Sequence, residues 1–77
     1  MPLYWLCYRH DNQTDVVIEL GVSLDHARMR ASIAGLGEGI FTEGHELDPH
    51  TKKQVPIAMI RRRLSQDEAK GLLAKFD

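Results

Sequence analysis

Three consecutive arginines, Arg61, Arg62 and Arg63, are the densest charge cluster in this 77-residue sequence. They directly precede a predicted helix that begins at Ser65, and basic groups near a helix N-terminus suit an anion or a phosphate. The competing interpretation is that these arginines end a short helix and form ion pairs with acidic side chains elsewhere in the chain. The sequence leaves both interpretations open.

Tyr4, Leu6 and Tyr8 form a second candidate surface. They alternate along an apolar segment, so they share one face if that segment is a β-strand. If no helix covers this face, the two tyrosines form a platform for a protein partner, a second copy of the chain or stacked nucleic-acid bases. These three residues, together with Arg61–Arg63, are the predicted partner-binding residues.

No pattern in the sequence specifies a metal site or a catalytic group. Cys7 and His10 have the spacing of half a zinc motif, but residues three apart on a strand face opposite sides. The glycine-rich segment 35–39 follows a helix, whereas phosphate-binding glycine loops follow a strand. We therefore predict no catalytic residue, no cofactor and no metal ion, and a small enzyme is only a remote alternative.

One feature of the N-terminus bears on that remote alternative. The Met1-Pro2 start resembles that of the small tautomerases, and the resemblance covers Pro2 and the chain length only. It implies an N-terminal proline that acts as a general base. The loop that contains His45 and His50 and the glycine run of residues 35–39 are the other features that support an enzyme.

The charge of the chain divides into two blocks, although the net charge is only −1. Residues 1–48 carry eight acidic and three basic side chains, and residues 49–77 carry seven basic and three acidic ones. The near-neutral total disfavours an indiscriminate nucleic-acid binder, because such proteins are usually clearly positive. The basic block predicts either an anionic partner or docking onto the acidic half of the chain.

Length and composition predict one small domain that spans residues 1–77. Hydrophobic residues make up 43% of the chain and charged residues 27%, as in ordinary folded proteins. The single Cys7 has no cysteine to pair with, and no apolar run is long enough to span a membrane. We therefore expect a cytoplasmic protein.

Hydrophobic periodicity predicts the element order β-β-α-β-α-α. A crossover through the first helix places the third strand beside the first, which gives a mainly antiparallel three-stranded sheet of order 2-1-3. We expect an α+β fold with its helices on one face of this sheet, and a loop at residues 48–54. The predicted strands are residues 3–10, 15–20 and 40–43, and the predicted helices are residues 24–34, 57–63 and 65–76.

The predicted function is that of a small, soluble, non-enzymatic interaction or accessory module. It binds a protein partner, or itself as a homodimer, through an open sheet face. This interpretation requires Tyr4, Leu6 and Tyr8 to be exposed. The alternative is a nucleic-acid or phosphate-ligand binding module that uses Arg61–Arg63 and the tyrosines of the first strand.

Overall fold

The fold is α+β, with an antiparallel sheet and helices, as predicted. A computed structural model describes residues 1–76. A 3₁₀ turn (Ile57–Met59) precedes the last strand. The strands and α-helices are β1 (Leu3–His10), β2 (Gln13–Leu20), α1 (Leu24–Ile33), β3 (Ile40–Glu46), α2 (Pro49–Gln54), β4 (Arg63–Leu64) and α3 (Gln66–Leu73). None of the helices within residues 1–76 has the length and apolar character needed to cross a bilayer.

The predicted hairpin of β1 and β2 is confirmed. Asp11 and Asn12 connect the strands with φ angles of 47° and 64°. Asp and Asn tolerate this left-handed backbone, which a two-residue type I′ turn requires. The turn sets the register, in which Leu3 pairs with Leu20.

The sheet has four strands in the order β3-β1-β2-β4, so the predicted three-stranded order 2-1-3 is wrong. β1 does lie between β2 and β3, and both pairings are antiparallel. The additional strand β4 pairs Leu64 with Val16 and Arg63 with Val17. Two residues give too weak a sequence pattern to identify a strand.

Helices cover both faces of the sheet, so the prediction that they share one face is wrong. On one face, Ala27 and Ala31 of α1 are fully buried in a cluster with Tyr4, Leu6, Tyr8 and Val17. On the other, Ala69 and Leu72 of α3 are buried with Leu3, Trp5, Cys7 and Ile18. β1 is apolar on both sides, so burying each side beneath a helix stabilises the fold through the hydrophobic effect.

The segment before β4 also differs from the prediction. Residues 49–54 form α2 instead of a loop, because the Asp48 carboxylate accepts from the Thr51 N–H at 2.7 Å and Pro49 suits the first helical turn. The predicted helix at 57–63 is wrong. Ile60 forms a bridge to Ile18, and the Arg61 N–H donates to the Ile18 carbonyl at 2.8 Å. Sheet pairing thus replaces helix formation there.

Candidate functional site

The predicted open platform is a buried layer. Tyr4, Leu6 and Tyr8 are only 6%, 0% and 4% exposed. They lie beneath α1, whose small residues Ala27 and Ala31 allow the helix to approach the sheet closely. The expectation of an open sheet face at these residues is therefore wrong, whereas partner binding itself stays a prediction.

Each arginine of the Arg61–Arg63 cluster pairs with a carboxylate of the same chain. Arg61 Nε lies 3.1 Å from Glu19 Oε1, and Arg62 pairs with Glu68. Arg63 Nε lies 2.8 Å from Asp15 Oδ2. The three guanidinium groups thus contact three different acids, two of them on β2. These contacts match the ion-pair interpretation, and the three guanidinium groups do not form one basic patch.

Arg63 also holds the loop between α1 and β3. Its Nη1 donates to the carbonyl oxygens of Leu36 at 3.0 Å and Glu38 at 2.8 Å. This loop is therefore attached to β2 through Asp15 and Arg63. Two residues of this loop, Gly37 and Gly39, line a groove between α1 and β3.

Glu19 is a fully buried carboxylate that sequence analysis did not single out. Its Oε1 accepts from Arg30 Nε at 3.1 Å, and its Oε2 accepts from Arg61 Nε at 3.3 Å. The one available signal was an acid within the otherwise apolar residues 16–20. Because each of its oxygens accepts a hydrogen bond from an arginine, Glu19 links α1 to the segment before β4, and its role is structural.

A groove of about 320 Å³ lies between α1 and β3, and we call it the α1–β3 groove. The buried stripe of Ala27 and Ala31 fixes the rotation of α1, so the residues next to this stripe face β3. Side chains from β1, α1 and β3 meet in the groove although they are distant in sequence. The residues that line it are Tyr8, Asp25, Arg28, Met29, Ser32, Gly37, Gly39 and Phe41.

An aromatic and cationic stack forms the base of the groove. The Arg28 guanidinium carbon lies 3.9 Å from the centroid of the Phe41 ring, which is cation–π geometry. Phe41 in turn meets Tyr8 edge-to-face, with ring centroids 5.6 Å apart. The stack holds Arg28 in place without an acidic partner, since no ion pair joins Arg28 to any carboxylate of residues 1–76.

The Tyr8 hydroxyl is an unused hydrogen-bonding group at this base. Burial raises the pKa of the Tyr8 phenol, while the charges of Arg28 and Arg63 act in the opposite direction. The hydroxyl is therefore protonated at neutral pH and can donate. Within the described chain it has no hydrogen-bond partner. A Cβ added at Gly37 would lie 3.5 Å from it.

β3 forms the long edge of the sheet beside this groove. It bonds to β1 on one side, with a bulge at Thr42 where the register shifts between Cys7 and Tyr8. Glu43 and Glu46 are exposed on it. Residues 31–51 contain four acidic side chains and no Lys or Arg. No ion pair with Lys or Arg neutralises these four acids within residues 1–76. We call the side of β3 that is unpaired within the described chain, with Glu43 and Glu46, the β3 edge.

The residues that supported an enzyme do not converge on one site. Pro2 lines a separate groove of about 330 Å³ with Glu46, Leu47 and Lys52. Neither His45 nor His50 lines that groove. Across residues 1–76, no group of three or more His, Cys, Asp or Glu side chains is arranged to hold a metal ion.

Comparisons with known proteins add no family, since no family model, curated protein or solved structure matches this chain. Function is therefore inferred from the β3 edge and the α1–β3 groove. Neither surface was identified from the sequence. β3 was predicted only as a strand, and Arg28 and Phe41 are 13 positions apart, with no motif that connects them.

Proposed function

We propose that the protein is a non-enzymatic interaction module that binds an extended segment of a protein partner along the β3 edge. The observation that carries this proposal is that β3 is seven residues long and, within residues 1–76, pairs on one side only, while helices cover both sheet faces. An extended peptide adds to such an edge through main-chain hydrogen bonds, and its side chains supply specificity. The partner segment would become the fifth strand of the sheet.

The charges of the β3 edge favour a separate partner over a second copy of the chain. β3 contains Glu43 and Glu46 and no Lys or Arg. Pairing two copies of β3 in antiparallel orientation would bring acids near acids, and like charges across strands are destabilising. A segment that carries Lys or Arg would find complementary charges at both positions.

The nucleic-acid alternative loses the two features that suggested it. The tyrosines of β1 are buried, and the three arginines already pair with carboxylates. The β3 edge is acidic and would repel a phosphate backbone. Protein binding is therefore the function that this geometry supports best.

Peptide selection with amide exchange tests the proposal. Random decapeptides displayed on phage would be selected on the wild-type protein, and one selected peptide would be titrated into ¹⁵N-labelled protein. We expect alternate amides of β3, which do not bond to β1, to exchange more slowly when the peptide is bound. Slowed exchange confined to other elements, or self-association through β3 in analytical ultracentrifugation, would contradict the proposal.

A pair of charge variants separates the edge from general electrostatics. Glu43→Lys reverses a charge on β3, and Asp67→Lys makes the same change on the exposed surface of α3. We expect Glu43→Lys to weaken a selected basic peptide about tenfold, which corresponds to about 1.4 kcal/mol. Asp67→Lys should change the Kd by less than about twofold, because salt screens distant exposed charges. Equal weakening by both variants would argue against an edge site.

A further inference from the structure

We infer that the α1–β3 groove binds a carboxylate, supplied by an acidic side chain of the extended segment that pairs with β3. This inference rests on the proposed function, and it adds a specific chemistry to it. Phe41 belongs both to β3 and to the groove, so a strand paired with β3 passes beside the groove. Side chains that point toward α1 from that strand would enter it.

The Tyr8 hydroxyl is the first reason for this assignment. The residue is 4% exposed, yet its hydroxyl has no hydrogen-bond partner within residues 1–76. Within residues 1–76, every side-chain nitrogen or oxygen that is fully shielded from solvent has a hydrogen-bond partner. The Tyr8 oxygen is therefore reachable from the groove that Tyr8 lines. A phenol in this position donates to an acceptor on the ligand.

Arg28 supplies the second donor. Its guanidinium group is positioned over Phe41 and has no carboxylate partner within the described residues. Guanidinium groups bind carboxylates through charge-assisted, often bidentate hydrogen bonds. The Ser32 hydroxyl lies one helical turn from Arg28 and lines the same groove. Three donor side chains thus surround one space.

Asp25 limits which anion can bind. Asp25 lines the groove one turn before Arg28, so these two side chains together carry no net charge. With the charge of Arg28 offset by Asp25, neither a phosphate dianion nor a free small carboxylate would gain much from charge alone. Main-chain pairing with β3 supplies the remaining affinity, which assigns the carboxylate to the partner segment.

The groove also explains how an acidic edge would select its partner. The bound segment would carry Lys or Arg beside Glu43 and Glu46, and one Asp or Glu near Phe41. A uniformly basic segment would leave the donors of the groove without an acceptor. A uniformly acidic one would be repelled by β3. We therefore expect selected peptides to combine several basic residues with one acidic residue.

Isothermal titration with matched peptides and variants tests the inference. The probes are a selected decapeptide and the same peptide with its acidic residue replaced by the corresponding amide. On the wild-type protein, we expect this replacement to raise the Kd about tenfold. On Arg28→Gln, the two peptides should bind equally, because the guanidinium partner is gone. Arg9→Gln is the control, since Arg9 is an exposed arginine of β1 that does not line the groove.

Tyr8→Phe provides a second, independent variant. It removes a hydroxyl that has no partner in the free protein, so the midpoint of urea unfolding should not fall. Its affinity for the acidic peptide should fall about threefold to tenfold, as expected for loss of a hydrogen bond to a charged group. An unchanged Kd with both Arg28→Gln and Tyr8→Phe would overturn the inference.

The outcomes distinguish failure of the inference from failure of the proposed function. If the peptide protects β3 amides but the groove variants do not change its Kd, the groove inference is wrong and strand addition stands. If N-acetylglutamate alone binds at Arg28 as tightly as the peptide does, the carboxylate is a free ligand and its assignment to a partner strand is overturned. If β3 amides are not protected while the acid still couples to Arg28, strand addition is wrong.

Discussion

Replacing buried Glu19 with glutamine should destabilise the fold by about 2 kcal/mol. Each of its oxygens accepts from one guanidinium group, Arg30 at 3.1 Å and Arg61 at 3.3 Å. Glutamine keeps one acceptor oxygen, but its NH₂ group can only donate, so it cannot accept from the second guanidinium group. One bond to a charged group, worth about 1.5–3 kcal/mol, is therefore lost and the other is weakened to about 1 kcal/mol, which together removes about 2–5 kcal/mol. The arginine side chains are 29% and 47% exposed and regain water, which favours the lower end of that range.

Urea unfolding followed by Trp5 fluorescence measures this loss directly. Trp5 is the single tryptophan, is 6% exposed, and lies on the α3 side of the sheet, away from Glu19. Chains of this size unfold with a urea slope of about 1 kcal/mol per molar, so the midpoint should fall by about 2 M. Total stabilities near 0.05–0.15 kcal/mol per residue correspond to about 4–12 kcal/mol here, so the variant remains foldable.

The matched control is Glu38→Gln, which makes the same chemical change at an exposed loop position. The Glu38 carboxylate pairs with no Lys or Arg of residues 1–76, although its backbone carbonyl accepts from Arg63. We expect this control to stay within about 0.5 kcal/mol of the wild type. If Glu19→Gln shifts the midpoint no more than Glu38→Gln does, the ion network does not stabilise the fold as argued.

Three further predictions concern backbone conformation and helix ends. Arg61 has a φ of 59°, a left-handed conformation that costs an L-residue about 1–2 kcal/mol. Arg61→Gly should therefore unfold at a higher urea concentration than Arg61→Ala, and the reverse order would contradict this prediction. Gly71→Ala should stabilise α3 by about 0.5–1 kcal/mol, because nothing lies within 4 Å of the added Cβ, and a lower midpoint would reveal an unrecognised contact. Backbone and side-chain hydrogen bonds from Thr51 hold the pKa of Asp48 below its ordinary value. Its stabilising effect is therefore complete above pH about 4 and lost as pH falls through the lowered pKa, so Asp48→Asn should flatten the acid side of the midpoint–pH curve.

Features set by local interactions could be predicted from the sequence. The turn at Asp11 and Asn12 defines the hairpin, since these residues accept a left-handed backbone. The capping box of Ser65 and Glu68 begins α3 as expected, with each side chain bonded to the other residue's backbone N–H. The cap formed by Asp48 and Pro49 is equally local, and it was readable although the segment was predicted as a loop.

Features set by distant contacts could not be predicted in this way. α1 carries a stripe of small residues at Ala27 and Ala31 and a bulkier one at Met29 and Ile33, and periodicity treats both as apolar. The structure buries the alanines and leaves Met29 and Ile33 52% and 79% exposed, because close packing of the helix on the sheet requires small side chains. This choice rotates Arg28 toward β3. The groove therefore depends on which stripe of α1 packs on the sheet, and sequence periodicity does not determine that.

The two edges of the sheet differ greatly in length, and this sets the stoichiometry of any complex formed by strand addition. β4 offers two residues, Arg63 and Leu64, and the chain then turns into α3 at Ser65. An added strand of ordinary length would find no continuous ladder there within residues 1–76. A partner on β3 would therefore face no equivalent site on the opposite edge, and growth would stop after one addition. Under the proposed strand addition, this difference between the two edges favours a one-to-one complex and disfavours fibres.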